Sequence, residues 1–122
     1  MNPVTILLVE DEQAIRESLH ELLEEAGFGV SDADAGDVGL RMLRTGKPLM
    51  LVTDINMPGF VDGADLAVAA RQLYPKLPVL FITGRPELLE RALRVGKPTA
   101  GLVKPFKFIE LLAAVQLLST CA

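Results

Sequence analysis

Four short segments hold most of the side chains able to do chemistry: Glu10-Asp11-Glu12, Asp54-Ile55-Asn56, Thr83-Gly84 and Lys104-Pro105. Each follows an apolar run. Brought together, three or four carboxylates, a hydroxyl and an amine would make an acidic, oxygen-rich pocket. Clustered carboxylates repel one another, and a divalent cation relieves that repulsion. Mg2+ suits such a pocket, because it takes octahedral oxygen ligands, keeps several waters and needs only a few carboxylates with a backbone carbonyl. Lys104 could pair with Asp54 or with an anion attached to it, and Thr83 could donate a hydrogen bond to the same anion. An aspartate flanked by a metal ion and a lysine is suited to attack phosphorus, since the positive charges neutralise the oxygens of the transferring group. The plainer reading makes these acids helix N-caps and first-turn charges. It is preferred for Glu12. It is weaker for Glu10, Asp11 and Asp54, because Asp54 runs into Asn56-Met57-Pro58-Gly59, a turn rather than a helix start.

The elements that must position these residues alternate along the chain. Val4–Val9 is a continuous apolar run, too short for a typical helix, and reads as a buried parallel strand. Ile15, Leu19, Leu22, Leu23 and Ala26 recur at helical spacing, with Gly27 as the stop. Phe28–Ala33 is a weaker strand, followed by a short helix with Val38, Met42 and Leu43 on one face, ending near Gly46. Leu49–Thr53 is a third strand. Leu66, Ala67, Ala70, Leu73 and Tyr74 mark a helix stopped before Pro75, and its alanines suit close packing on a sheet. Pro78–Thr83 is a fourth strand. Pro86 opens a fourth helix (α4) ending near Gly96. Ala100–Val103 is a fifth strand (β5), and Ile109, Leu112, Ala113 and Leu117 mark a last helix (α5). Five βα units with short connections imply a parallel sheet covered on both faces. Functional residues in such sheets gather outside the carboxyl ends of the strands, where all four segments fall.

The 122 residues fit one domain, with a core expected over about residues 4–118, and half of them are hydrophobic. Acidic residues outnumber basic ones by 16 to 12, a net charge of −4, which argues against direct nucleic-acid or membrane-surface binding. One Cys (Cys121) and one His (His20) exclude a disulfide framework and a Cys/His zinc site within the chain. This usage fits a reduced, cytoplasmic setting. No apolar run approaches the ~20 residues of a membrane span, and Met1-Asn2-Pro3 does not open a secretory signal. His20 reads as a solvated helix residue facing away from the apolar stripe, not as a phosphodonor. Gly46-Lys47 and Gly96-Lys97 are not phosphate-binding loops, since Arg41 and Arg91 stand where the earlier Gly would be. Asp32–Asp37 fails as a calcium loop, because Leu43 takes the place of the bidentate Glu.

Taken in order, Ile6–Glu12 (ILLVEDE), Val52–Gly59 (VTDINMPG), Val79–Gly84 (VLFITG) and Leu102–Phe106 (LVKPF) resemble the receiver domain of bacterial two-component response regulators. The resemblance covers roughly Val4 to Leu118. It implies the flavodoxin-like fold, a doubly wound parallel sheet of order 2-1-3-4-5. It implies Asp54 as phosphoacceptor. Glu10, Asp11, Asp54 and the backbone carbonyl of Asn56 would hold Mg2+, Thr83 would be the switch hydroxyl, and Lys104 would contact the phosphoryl oxygens. The Lys104–Pro105 bond would be cis. The implied role is a signalling phosphoacceptor rather than a metabolic enzyme, charged by a sensor histidine kinase or histidine phosphotransfer protein. Its output would pass through the α4–β5–α5 face, Pro86 to Leu118, to a partner or an output domain outside this chain, and the same face could serve a homodimer, the oligomeric state being left open by the sequence.

Three departures from the family pattern stand out. Gly101 occupies the position where the family usually has a Tyr or Phe. Met57–Gly63 carries one residue more than the commonest form. Arg85 follows Thr83-Gly84, within reach of a phosphoryl group or a partner's acid. Gly84, Arg85, Gly101 and Pro105 are therefore candidate modulators. Rival classes fit less well. A haloacid-dehalogenase-type phosphatase wants a second Asp two residues after its nucleophile, where Asp11 and Asp54 are followed by Gln13 and Asn56. A flavodoxin would cradle a flavin phosphate in its first loop, which here is acidic. A phosphorylation-independent pseudo-receiver, a pure interaction module, is the main alternative, and binding of acetyl phosphate or beryllium fluoride would distinguish it.

Overall fold

The computed structural model describes residues 5–120. Val4, Cys121 and the first three residues lie outside that range, so the expectations placed on them stay with the sequence. Five strands, β1 (Thr5–Val9), β2 (Gly29–Ala33), β3 (Met50–Asp54), β4 (Val79–Thr83) and β5 (Thr99–Val103), form one parallel sheet of order β2-β1-β3-β4-β5. This is the order the resemblance implies. The helices between and after them are α1 (Gln13–Glu25), α2 (Gly36–Thr45), α3 (Gly63–Leu73), α4 (Leu89–Leu93) and α5 (Phe108–Ser119).

Successive strand residues point to opposite faces, and both faces are covered. Leu7, Val9, Leu51, Val79 and Phe81 pack with Leu43 of α2, Leu66, Ala67 and Ala70 of α3, and Ala92 of α4. Ile6, Leu8, Met50, Val52, Leu80 and Ile82 pack with Leu19 and Leu23 of α1 and Leu111, Val115 and Leu118 of α5. Burial on both faces explains why the central strands read as unbroken apolar runs. Each such Leu, Ile or Phe contributes about 1.5–3 kcal/mol relative to an exposed one.

The structure shifts several expected boundaries. β3 slips by one residue: Leu49 is 43% exposed, and Asp54 joins the ladder opposite Ile82. Asp54 therefore ends a strand instead of opening a loop. Ala26 caps α1 and is exposed, and Gly27 at φ +101 makes the left-handed turn. The fourth helix is much shorter than expected. Pro86–Leu88 form a 3-10 turn, α4 holds only Leu89–Leu93, and its last carbonyls are taken by Arg94, Val95 and Gly96. In α5 the buried set is Leu111, Val115 and Leu118, while Ile109 and Leu117 are 70% and 67% exposed. Among the described residues, no helix is long and apolar enough to cross a membrane.

Two glycines hold the β3–α3 connection down. A Cβ on Gly63 would lie 1.9 Å from the Asp54 carbonyl oxygen, and one on Gly36 would lie 2.0 Å from that of Val61. With no side chain, Gly63 lets α3 begin directly on the end of β3, its N–H donating to the Ile55 carbonyl. Asp62 and Asp65 then close a reciprocal capping box. The loop bulges outward at Gly59 (φ +103), leaving Phe60 fully exposed while Met57 stays buried.

Candidate functional site

Strand register brings the expected residues to one rim. Val9 pairs with Thr53, Asp54 with Ile82, and Thr83 with Val103, so the residues that follow β1, β3, β4 and β5 emerge side by side. Glu10 leaves β1 with no exposed surface, its N–H held by the Ala33 carbonyl and its carbonyl by Arg16 Nη1 at 2.9 Å. Asp54 is 5% exposed. Lys104 enters from β5, its N–H donating to the Thr83 carbonyl at 2.8 Å.

The Lys104 ammonium bridges two carboxylates. Nζ lies 2.7 Å from Glu10 Oε1 and 3.1 Å from Asp54 Oδ2. The remaining oxygens are also engaged: Glu10 Oε2 accepts from the Glu12 N–H at 3.1 Å, and Asp54 Oδ1 from the Asn56 N–H at 3.3 Å. Burial pushes the Glu10 carboxyl up to about 7; the Lys104 and Glu12 hydrogen bonds oppose this, and the Asp54 charge adds to it. Burial works against the Lys104 charge, but its hydrogen bonds to Glu10 and Asp54 outweigh burial and hold its pKa above the ordinary lysine value.

Glu10, Asp11 and Asp54 each offer a carboxylate oxygen, and the three oxygens lie within 4.8 Å of one another. Two of these residues are buried and Asp11 is half-buried. Hard oxygen donors in this number fit a divalent ion such as Mg2+, which completes its shell with water. They fit poorly to a soft metal.

Thr83 is buried, but its hydroxyl turns to the following turn. It accepts from the Arg85 N–H at 3.0 Å and donates to the Arg85 carbonyl at 3.3 Å. The Arg85 guanidinium is exposed and pairs with Glu87 Oε2 at 3.0 Å. Gly84 is exposed, with open space where a Cβ would stand. At Gly101 a Cβ would meet Leu89 Cδ2 at 2.6 Å. The Lys104–Pro105 bond is cis, as the resemblance implied, and so is Lys97–Pro98. Ile15, Leu19, Lys104, Pro105 and Phe106 help line a mostly apolar depression of about 420 Å³ between α1 and the end of β5. Glu12 sits at the N-cap position of α1 but makes no side-chain cap; the Glu10 carboxylate takes its N–H instead.

Sequence reasoning missed three polar residues. Arg16 spans from the Glu10 carbonyl toward Asp32. His20 is half-buried rather than solvated: Nδ1 lies 2.7 Å from Asp32 Oδ2 and Nε2 lies 3.3 Å from Glu24 Oε2. Arg71 is bonded to four carbonyls, those of Leu77, Gly96, Lys97 and Pro98. Only the His20–Glu24 spacing of four had a signal in the sequence.

Comparison with known proteins gives a consistent picture. The family model of the response regulator receiver domain matches residues 6–116. The response regulator MprA of Mycolicibacterium vanbaalenii is 37% identical over 120 residues, covering 95% of this chain and 50% of that protein. The transcriptional regulatory protein CreB of Escherichia coli is 35% identical over 120 residues, covering 97% of this chain and 52% of that protein. The chain thus spans about half the length of the curated relatives it matches. Among solved structures, a response regulator receiver protein from Sinorhizobium medicae superposes with a TM-score of 0.88 at 34% identity, covering 96% of this chain and 94% of its own. The response regulator TrrA of Thermotoga maritima, solved in complex with Mg(2+)-BeF, gives 0.85 at 29% identity, with 94% and 98% covered.

Proposed function

The chain belongs to the response regulator receiver family, and from that premise we propose that it accepts a phosphoryl group on Asp54 from a phosphohistidine and uses the charge to switch its α4–β5–α5 face. The observation that carries this is the Lys104 ammonium shared between Glu10 and Asp54, with Asp11 completing the carboxylate cluster.

An Asp54 carboxylate oxygen attacks phosphorus, the P–N bond of the donor breaks, and its electron pair remains on the imidazole. Lys104 already lies on the Asp54 oxygen and shifts onto the oxygens of the incoming group. Asn56 N–H holds the other Asp54 oxygen and orients the carboxylate. Thr83 turns its hydroxyl hydrogen from the Arg85 carbonyl to a phosphoryl oxygen. Glu10, Asp11, Asp54 and the Asn56 carbonyl would hold Mg2+, which when bound neutralises charge on the transferring group. The apolar depression beside Lys104 suits the flank of a donor protein, a sensor kinase or histidine phosphotransfer protein. The α4–β5–α5 face then reports to an output domain or partner, with homodimerisation as one readout, and the protein works in the cytoplasm as a signalling phosphoacceptor.

The test is phosphorylation by acetyl phosphate with Mg2+, read by intact mass, with Asp54→Asn as control. A phosphorylated wild type and an unmodified variant are expected. Modification retained in Asp54→Asn overturns the assignment of the acceptor. No modification, together with no beryllium fluoride binding, leaves the phosphorylation-independent interaction module.

A further inference from the structure

Thr83 and Leu89 stand at two ends of one short connection. The Thr83 hydroxyl is latched to the Arg85 backbone, accepting from its N–H and donating to its carbonyl. The same Arg85 carbonyl accepts from Leu88 N–H at 3.0 Å and so closes the 3-10 turn Pro86–Leu88. Leu89 follows at once and lays its side chain on Gly101 of β5, where a Cβ would come 2.6 Å from Cδ2 and 3.4 Å from Cδ1. Gly101 is three residues before Lys104, whose N–H returns to the Thr83 carbonyl. The contacts close a ring from the Thr83 hydroxyl through the turn, Leu89 and β5 back to Thr83.

This ring has one weak member. α4 has five residues, too few to be stable by its own hydrogen bonds. Its place depends on what it packs against, and Ala92 is the one buried residue it contributes. Leu89 packs against the same apolar cluster, in the space a side chain at Gly101 would take.

We propose that Leu89 is a positioning residue for the Thr83 hydroxyl: seated on Gly101, it holds the Arg85 backbone against that hydroxyl and so opposes its turning to an anion on Asp54. The hydroxyl has one hydrogen to donate. Giving it to the anion ends the Thr83 hold on the Arg85 backbone, so the 3-10 turn can move as a unit and carry Leu89 off its seat. By linkage, anything that unseats Leu89 tightens anion binding. The inference rests on the reading of Asp54 as phosphoacceptor.

The test uses Mg2+ and beryllium fluoride as the phosphoryl probe, with methyl-labelled protein observed by NMR. In the wild type, contacts between the Leu89 methyls and the Gly101 Hα protons are expected without the probe and lost with it. Gly101→Ala fills the seat, so its Leu89 methyls are expected near the probe-bound wild-type positions before any probe is added. Leu89→Ala and Gly101→Ala are each expected to bind beryllium fluoride about threefold to tenfold tighter, with Mg2+ affinity within twofold of wild type. A merely structural role would move both affinities together. The double variant is expected to gain no more than Leu89→Ala alone. The inference is overturned if the wild type binds the probe and the Thr83 and Lys104 signals shift while Leu89 stays on Gly101; the reading of Asp54 then stands. That wild-type observation decides the matter even where a variant does not fold. If the wild type binds Mg2+ but not beryllium fluoride, the reading of Asp54 falls and this inference with it.

Discussion

Lys104 Nζ and Glu10 Oε1 are 2.7 Å apart, and Glu10 has no exposed surface at all. A buried carboxylate this close to an ammonium still has its pKa pushed up to about 7, so burial costs the charged form more than the lysine returns. The sign for stability follows. The folded pKa stands above the ordinary value of 4.5, so the folded chain binds the extra proton in that window. Glu10 therefore favours folding most below pH 4.5, and its contribution falls as pH rises through about 7. The size is on the order of a few kcal/mol. Glu10→Gln is expected to flatten the fall and to be more stable than wild type at pH 8 without metal. Urea melts at pH 5.5 and 8 check this; parallel slopes in the two proteins would contradict it.

His20 adds to the same trend from a different place. Burial lowers its pKa, but hydrogen bonds to Asp32 and Glu24 outweigh burial and raise it above the ordinary 6.5. Its stabilising charge is fully present below pH 6.5 and is lost as pH rises through the folded value. His20→Gln is expected to cost stability at pH 6 and little at pH 8.5. An NMR titration of the imidazole reads the folded pKa directly, and a value at or below 6.5 would refute the pairing.

Metal binding should report on the carboxylate cluster before any phosphoryl chemistry. Mg2+ at a hundredfold excess over its Kd is expected to stabilise the chain by about 2 to 3 kcal/mol. Asp54→Asn removes one of three clustered carboxylates, so it is expected to raise the metal-free melting temperature and weaken the Mg2+ effect. Melting curves with and without Mg2+ in both proteins check the two parts separately. An unmoved wild-type curve would count against the cluster as a metal site.

Arg71 ties α3 to the segment before β5. Nε donates to Leu77 O at 2.7 Å, and the two Nη atoms reach the carbonyls of Gly96, Lys97 and Pro98 at 2.6–3.0 Å. Losing these charge-assisted bonds in Arg71→Ala is expected to cost about 2 to 4 kcal/mol. Arg71→Lys should recover only part of it, because an ammonium cannot present the planar fork. Chemical denaturation of the three proteins measures the order; a fully rescued lysine variant would argue against the fork.

The sheet was legible because strands buried on both faces must be apolar throughout, and four of the five runs were bounded by turn or acidic residues. The rim residues were legible because they follow those runs. Other features had no signature in the chain. α5 is apolar around much of its circumference, so periodicity could not separate buried Leu111 and Val115 from exposed Ile109 and Leu117. Pro86 marked a start but not a length, since a 3-10 turn takes the first three residues of what reads as a helix. Leu89 on Gly101, His20 on Asp32 and Arg71 on Pro98 join residues 12 to 27 apart, and local patterning says nothing about such contacts.

The pinch of Gly36 and Gly63 on the loop after β3 separates two jobs within seven residues. Because α3 is seated on the Asp54 backbone, the loop's length is taken up beyond the carboxylate and not beneath it. Phe60 can therefore be exchanged, or the bulge lengthened, without dragging the Asp54 carboxylate out of register. The apex is a natural place to graft a fluorophore or an affinity handle that reads the rim without perturbing it.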